Sequence, residues 1–233
     1  MRRLISVSVV VATLAFSHNA EAQQCGGTER WAVKVGSDSA AASISVASPV
    51  PTTLNQLVFL PTPTLPPNHD NDTRLSEERT VRVVEGRLVK FKPELGKTGD
   101  SDYHLVISDE TLQFSQGPDV SSHSVVAELV DPDCVPGRQG SPGTTSAFQA
   151  QIVNVWERFE KRFPNAKHGW NNANGMRVRI TGIGFFDRPH GQTGRARNMI
   201  EIHPVLDIAF IDDETTTATR ERTIQASARM FCP

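Results

Sequence analysis

Asp102 and His104 stand two residues apart in Gly99-Asp100-Ser101-Asp102-Tyr103-His104-Leu105-Val106-Ile107, and Glu201 and His203 repeat that spacing in Ile200-Glu201-Ile202-His203-Pro204. In a β-strand the side chains at i and i+2 share a face, so each pair presents a carboxylate beside an imidazole, and Asp100 extends the first row. A third polar group, Asp187, His190 and Gln192, lies in a turn-rich stretch between two apolar strands. Carboxylates and imidazoles arriving from several strand ends are donors for a divalent metal, and equally partners in general acid and base chemistry. We therefore take Asp100, Asp102, His104, Asp187, His190, Gln192, Glu201 and His203 as the expected ligand-binding set. His104, Asp187, His190, Glu201 and His203 are its expected metal donors, with a divalent metal as the cofactor they would hold.

The competing reading is a structural knot. Such groups also satisfy backbone atoms at strand ends, and Asp102 or Glu201 could pair with Arg177 or Arg179. No segment has the spacing of a defined zinc, calcium or phosphate-loop motif; residues 68–78 are acidic but lack the glycine and closing glutamate of a calcium loop. Gly-x-Ser-x-Gly is also missing, which disfavours a serine hydrolase. Lone His69, His123 and His168 read as solvated surface residues.

The elements that must position these groups follow from periodicity. Thr80 to Lys92 alternates apolar and polar residues around Gly86, where a strand could bend. Strands follow at about 102–108 and 124–130, the latter with Glu128 on the side of Val126 and Val130. Phe148, Ile152, Val155, Trp156, Phe159 and Phe163 recur at helical steps through 146–163, ended by Pro164, and make one apolar stripe. Strands over 176–186 and 200–211 complete the order β-β-β-α-β-β. That is the order of an OB-fold, a five-stranded barrel with one plugging helix, here over residues 80–211; an open α+β sandwich is the rival. We expect the fifth strand beside the first. Asp102 and His104 would then meet Glu201 and His203 only across the barrel end or through the loop bearing Asp187 and His190.

Ahead of the barrel, residues 23–79 read as an extended arm, with Trp31 to Val35 as a strand-like piece and a proline-rich path from about residue 48. Leu54 to Leu60 is apolar enough to dock on the body. Residues 1–22 have a basic start, an apolar run too short to span a bilayer comfortably, and Ala20-Glu21-Ala22 as a small-x-small cleavage site, the pattern of a secretory signal. Residues 212–233 form a tail. No other segment is apolar enough to span a membrane, and the expected location is periplasmic or extracellular.

Without residues 1–22 the chain keeps 22 basic and 25 acidic residues, since Arg2, Arg3 and Glu21 are removed. This balance does not favour nucleic acid as a partner. Cys25, Cys134 and Cys232 allow one intramolecular pair in an oxidising compartment.

The segments ERWAVKVGSD (29–38), GDSDYHLVI (99–107), AELVDPDC (127–134) and GIGFFDRPHGQTGRARNMIEIHPVLDI (182–208) resemble a family of exported bacterial proteins of uncharacterised function. Its usual forms read close to ERWxVKTxxD, GDxDYHLVI, EIPxPxC and GVGFFDxxHGQTGxAxNxIELHPVLDI. This chain departs from it in Leu129-Val130-Asp131-Pro132, in Arg195 and Arg197, and in its longer tail. The resemblance implies a Cys25–Cys134 disulfide, because Cys232 lies outside the shared pattern. Three functions fit these features. The preferred one is an exported OB-like module binding an oligosaccharide, single-stranded nucleic acid or another envelope or extracellular ligand, since a barrel without a catalytic motif is more often a binder. A metal-assisted hydrolase using the acid and histidine cluster is the second, and a structural envelope-interaction protein the third. The sequence names no ligand and sets no oligomeric state.

Overall fold

The alternation after residue 80 builds a mainly β molecule whose center is a closed barrel of five strands, with one extra strand. The computed structural model describes residue 25 and residues 30–65, 73–95, 101–109, 123–135 and 145–211. His69, Asp100, Cys232, segment 1–22 and tail 212–233 lie outside the described residues. In chain order the elements are α1 (Trp31–Val35), β1 (Val50–Pro51), α2 (Leu54–Val58), β2 (Val81–Pro93), β3 (Asp102–Ser108), β4 (Ser124–Val130), α3 (Gln149–Arg162), β5 (Asn171–Phe186) and β6 (Ile200–Phe210).

The barrel closes in the order β2-β3-β4-β6-β5 and back to β2, with β4 and β6 parallel and every other barrel pair antiparallel. This is the OB-like arrangement expected from the element order. One expectation is corrected. The first barrel strand, β2, pairs with the fourth, β5, whereas the fifth, β6, lies between β4 and β5. The acid and histidine rows therefore approach each other along the barrel wall, through β4, without crossing the barrel end.

Every barrel strand contributes to one core cluster, in which Leu105 and Ile107 of β3, Ala127 and Leu129 of β4 and Ile202 of β6 are 0–1% exposed. The stripe of α3 buries Ile152, Val155, Trp156 and Phe159. Phe159 packs its ring 5.0 Å from both Phe91 and Tyr103, while Phe148 and Ile152 join a second cluster with Val35, Ala41 and Ile44 of the arm. The helix thus joins barrel core and arm.

Local propensity failed in two places. Trp31 to Val35, β-branched and read as a strand, is a single helical turn closed by Gly36, whose N–H bonds the Val33 carbonyl. Tertiary contacts decide it. Arg30 is clamped to Glu78 by hydrogen bonds of 2.7 and 2.6 Å, Arg74 bonds Asp38 at 2.9 Å, and Ser146 Oγ donates to the Val35 carbonyl at 2.6 Å. In β2 the register breaks between Leu88 and Lys90, not at Gly86. Gly86 instead permits close approach, because a Cβ there would stand 2.8 Å from Ile107 Cγ2 and 2.9 Å from the Ser108 carbonyl. Leu54, Leu57 and Val58 do dock in the core, as the five-residue helix α2 with a Thr53/Gln56 capping box.

Candidate functional site

Strand alternation turns Tyr103, Leu105 and Ile107 into the barrel core and sends Asp102, His104 and Val106 to the outer face of β3. Register then builds a row. His104 is paired with Glu128 across β3–β4, Val126 with Glu201 across β4–β6, and Glu201 with Phe185 across β6–β5. Outer faces of barrels are usually wet, yet Asp102, His104, Glu128, Glu201 and His203 are only 0–2% exposed. Two pieces of chain cover them. One is α1, which lays Lys34 over the row; the other is the loop 187–199. Gly194 of that loop has φ +81°, and a Cβ on it would stand 2.5 Å from Val106 Cγ1, so glycine lets the loop lie directly on β3. Ser124 Oγ donates to the Gly194 carbonyl at 2.8 Å, which fixes the loop to β4.

Glu128 is the hub. Its Oε1 lies 3.4 Å from His104 Nδ1, and its Oε2 lies 2.6 Å from His203 Nδ1 and 3.9 Å from Lys34 Nζ. His104 Nε2 sits 3.0 Å from the Thr193 carbonyl, tying β3 to the covering loop. Burial pushes the Glu128 carboxyl up, but the Lys34 ammonium and the two imidazole contacts outweigh it and hold Glu128 well below the usual carboxylate range. Burial likewise lowers His203, with Glu128 opposing in part, so His203 favours its neutral form. Glu201 goes the other way: burial and the neighbouring Glu128 and Asp187 raise it well above the usual range, with Lys34 opposing. The cluster thus biases Glu128 toward its ionised form and Glu201 toward its protonated form.

Several polar atoms remain unsatisfied. Both carboxylate oxygens of Glu201 and Nε2 of His203 are buried without a hydrogen-bond partner among the described residues, whereas His203 Nδ1 and Glu128 Oε2 have only each other at 2.6 Å and, for Oε2, Lys34 Nζ at 3.9 Å. Such atoms are expensive, and native proteins seldom keep them without a reason. Asp102, Glu128 and His203 each offer a ligand atom within 4.8 Å of the others, as do Glu94, His104 and Glu128.

The structure gathers the expected set unevenly. Asp102, His104, Glu201 and His203 join one cluster. Asp187 is buried beside it and held by Gln192 Nε2 at 2.8 Å and by the Arg188 N–H at 2.8 Å, so Asp187 and Gln192 staple the loop. His190 stays 3.4 Å from Asp187 but points outward, half exposed. Arg177 and Arg179 pair with Glu85, leaving Glu201 without an arginine. His123 and His168 are at the surface, as expected.

Two participants escaped sequence reasoning. Glu128 was placed on the right face but not in the set, because a lone acid in an apolar strand shows no i+2 partner. Lys34 was read as part of a strand; its signal was a single cation between Val33 and Val35 in an otherwise apolar piece.

The arm carrying Lys34 is tied down by the Cys25–Cys134 disulfide, Cα–Cα 5.1 Å. Among the described residues no helix is long and apolar enough to cross a membrane. No protein-family profile matches the chain, and no significant match is found among curated proteins or solved structures.

Proposed function

We propose that this is an exported OB-type binding module whose ligand is small and polar and sits among Asp102, His104, Glu128, Glu201 and His203. The observation that carries the reading is the set of buried polar atoms, both oxygens of Glu201 and Nε2 of His203, that lack hydrogen-bond partners among the described residues. OB-folds commonly bind on the outer face of the second and third barrel strands and the loop between the fourth and fifth. Here those are β3, β4 and loop 187–199: β3 and β4 bear Asp102, His104 and Glu128, the loop covers them, and Glu201 and His203 stand on the neighbouring β6. The cover formed by Lys34 and the loop favours a small solute over a polymer. Export is supported by the signal-like first 22 residues and by a disulfide, which persists in oxidising compartments.

A second reading rests on one exposed aromatic. Trp170 is 41% exposed, edge-on to His104, with the Lys90 and Lys92 ammonium groups 4.6 and 5.2 Å from its ring. An anionic oligosaccharide could stack there at the rim of the same face. Thermal unfolding in the presence of divalent cations, small amines, monosaccharides, an anionic oligosaccharide and single-stranded DNA separates the readings. A shift from a small solute that disappears in Glu201→Met supports the first, and an oligosaccharide shift lost in Trp170→Ala supports the second. Glu201→Met should raise the melting temperature of the ligand-free chain, because it replaces an unpartnered buried carboxyl. A lowered one, with no solute shifting the wild type, would leave only the structural knot.

A further inference from the structure

We propose that the small ligand is a divalent transition-metal cation, held by carboxylate oxygens of Asp102 and Glu128 and a ring nitrogen of His203. This inference rests on the binding reading above and names its ligand. Three side chains from three adjacent strands converge: Asp102 from β3, Glu128 from β4 and His203 from β6. Their ligand atoms lie within 4.8 Å of one another, close enough for small side-chain rotations to bring them onto a single ion with bonds of about 2.0–2.2 Å. All three residues are buried. The rigid barrel wall fixes them, which a preorganised metal site needs.

A second observation is independent of that convergence. Glu201, 1% exposed, extends from β6 on the same outer face, and neither of its oxygens has a hydrogen-bond partner among the described residues. Nε2 of His203 shares that condition. A buried carboxyl beside a triad of donors, with no partner of its own, is placed as a fourth oxygen donor or as acceptor for a metal-bound water. The donor set selects the metal class. One imidazole with carboxylates suits zinc or manganese, whereas thiolates would select softer ions, and the two cysteines among the described residues, Cys25 and Cys134, are bonded to each other.

Lys34 sets the competition. Its ammonium, 3.9 Å from Glu128 Oε2, is a resident cation at the edge of the same donor set. An arriving dication meets that charge, so Lys34 weakens the metal and supplies the countercharge when no metal is bound. The chain therefore predicts an unusual result: removing a buried lysine should cost stability and strengthen metal binding.

The test uses the mature chain with its disulfide intact, purified without chelator and titrated calorimetrically with zinc chloride and manganese chloride, alongside elemental analysis. We expect one equivalent of zinc or manganese per chain, a metal-dependent rise in melting temperature, and at least a tenfold weaker affinity in Glu128→Gln and His203→Gln. Lys34→Met should bind the same metal at least tenfold tighter, and His190→Ala, altered at the surface, should match the wild type. Because the core variants could fail to fold, far-ultraviolet circular dichroism accompanies each, and Lys34→Met supplies a change of opposite sign that unfolding does not produce. Stoichiometric metal retained in folded His203→Gln would overturn the assignment of donors. If neither metal binds but an amine or monosaccharide stabilises the chain, the cation inference fails and the binding reading stands. If no solute binds at all, both fail.

Discussion

Replacing Lys34 by methionine tests the arrangement at its electrostatic center. Lys34 Nζ and Glu128 Oε2 are 3.9 Å apart, and both side chains are 1–2% exposed. Two unit charges at that distance attract by about 4 kcal/mol at an effective dielectric near 20, and deleting one member of a buried pair typically costs about 3–5 kcal/mol. We expect Lys34→Met to lose that much at pH 8, where His203 is neutral and cannot stand in for the cation. The loss should shrink as the pH falls. Without Lys34, the Glu128–His203 pair binds a proton that the wild type does not, so acid stabilises the variant relative to the wild type, by at most about 1.4 kcal/mol per pH unit. Urea unfolding of both chains at pH 8, 7, 6 and 5 gives the comparison directly. In Lys34→Met with Glu128→Gln, much of the deficit should return, since no uncompensated buried charge remains. A deficit under about 1 kcal/mol at pH 8, or one that grows with acid, would refute the view that Lys34 is what keeps Glu128 ionised.

Glu201→Gln should reveal the opposite group. Because the folded chain holds the Glu201 proton and the unfolded chain releases it, this residue costs stability that grows as pH rises above its unfolded value near 4.5 toward its raised folded value. The Gln variant should therefore gain on the wild type from pH 5 to pH 7, read by urea midpoints; a flat difference counts against a protonated Glu201. Cys134→Ala, which opens a disulfide spanning 109 residues, should lose about 3–5 kcal/mol in urea unfolding, and a loss below about 1 kcal/mol would mean that the arm is held by its ion pairs alone. Phe159→Ala, at the junction of α3 with Phe91 and Tyr103, should lose about 3–5 kcal/mol, and an unchanged melting curve would remove α3 from the core.

The barrel was legible because its signals are local. Period-two alternation in β3 and β4, the stripe of α3 and the order of elements needed no knowledge of partners. Pairing between β6 and β4 was not legible, since nothing within Ile200 to Phe210 says which neighbours it takes; closure of the sheet decides that. The site was half legible for the same reason. The i, i+2 pairs Asp102/His104 and Glu201/His203 carry their own evidence of a shared face, whereas Glu128 shows its meaning only beside His104, and Lys34 only after Arg30, Arg74 and Gly36 have fixed a helix against β-branched propensity.

The sealed outer face also explains why the arm takes the form it does. An OB-like barrel left bare would expose the acid and histidine row, and each carboxylate would be solvated and ordinary. By clamping Arg30 to Glu78 and Arg74 to Asp38, the arm spends buried ion pairs outside the cluster to hold one cation, Lys34, inside it. Those outer pairs are bidentate or multiply bonded, Arg30 reaching both Glu78 oxygens and the Thr73 carbonyl, and Arg74 reaching Asp38 with the Glu78 and Val33 carbonyls. The inner cluster is the reverse, with charged and polar atoms close together and several hydrogen bonds unmade. A chain that satisfies its arginines so completely a few residues away had the means to satisfy Glu201 and His203 as well. That contrast separates the cluster from the ion pairs that strap the arm, and it is the physical ground for treating the first as a site and the second as scaffold.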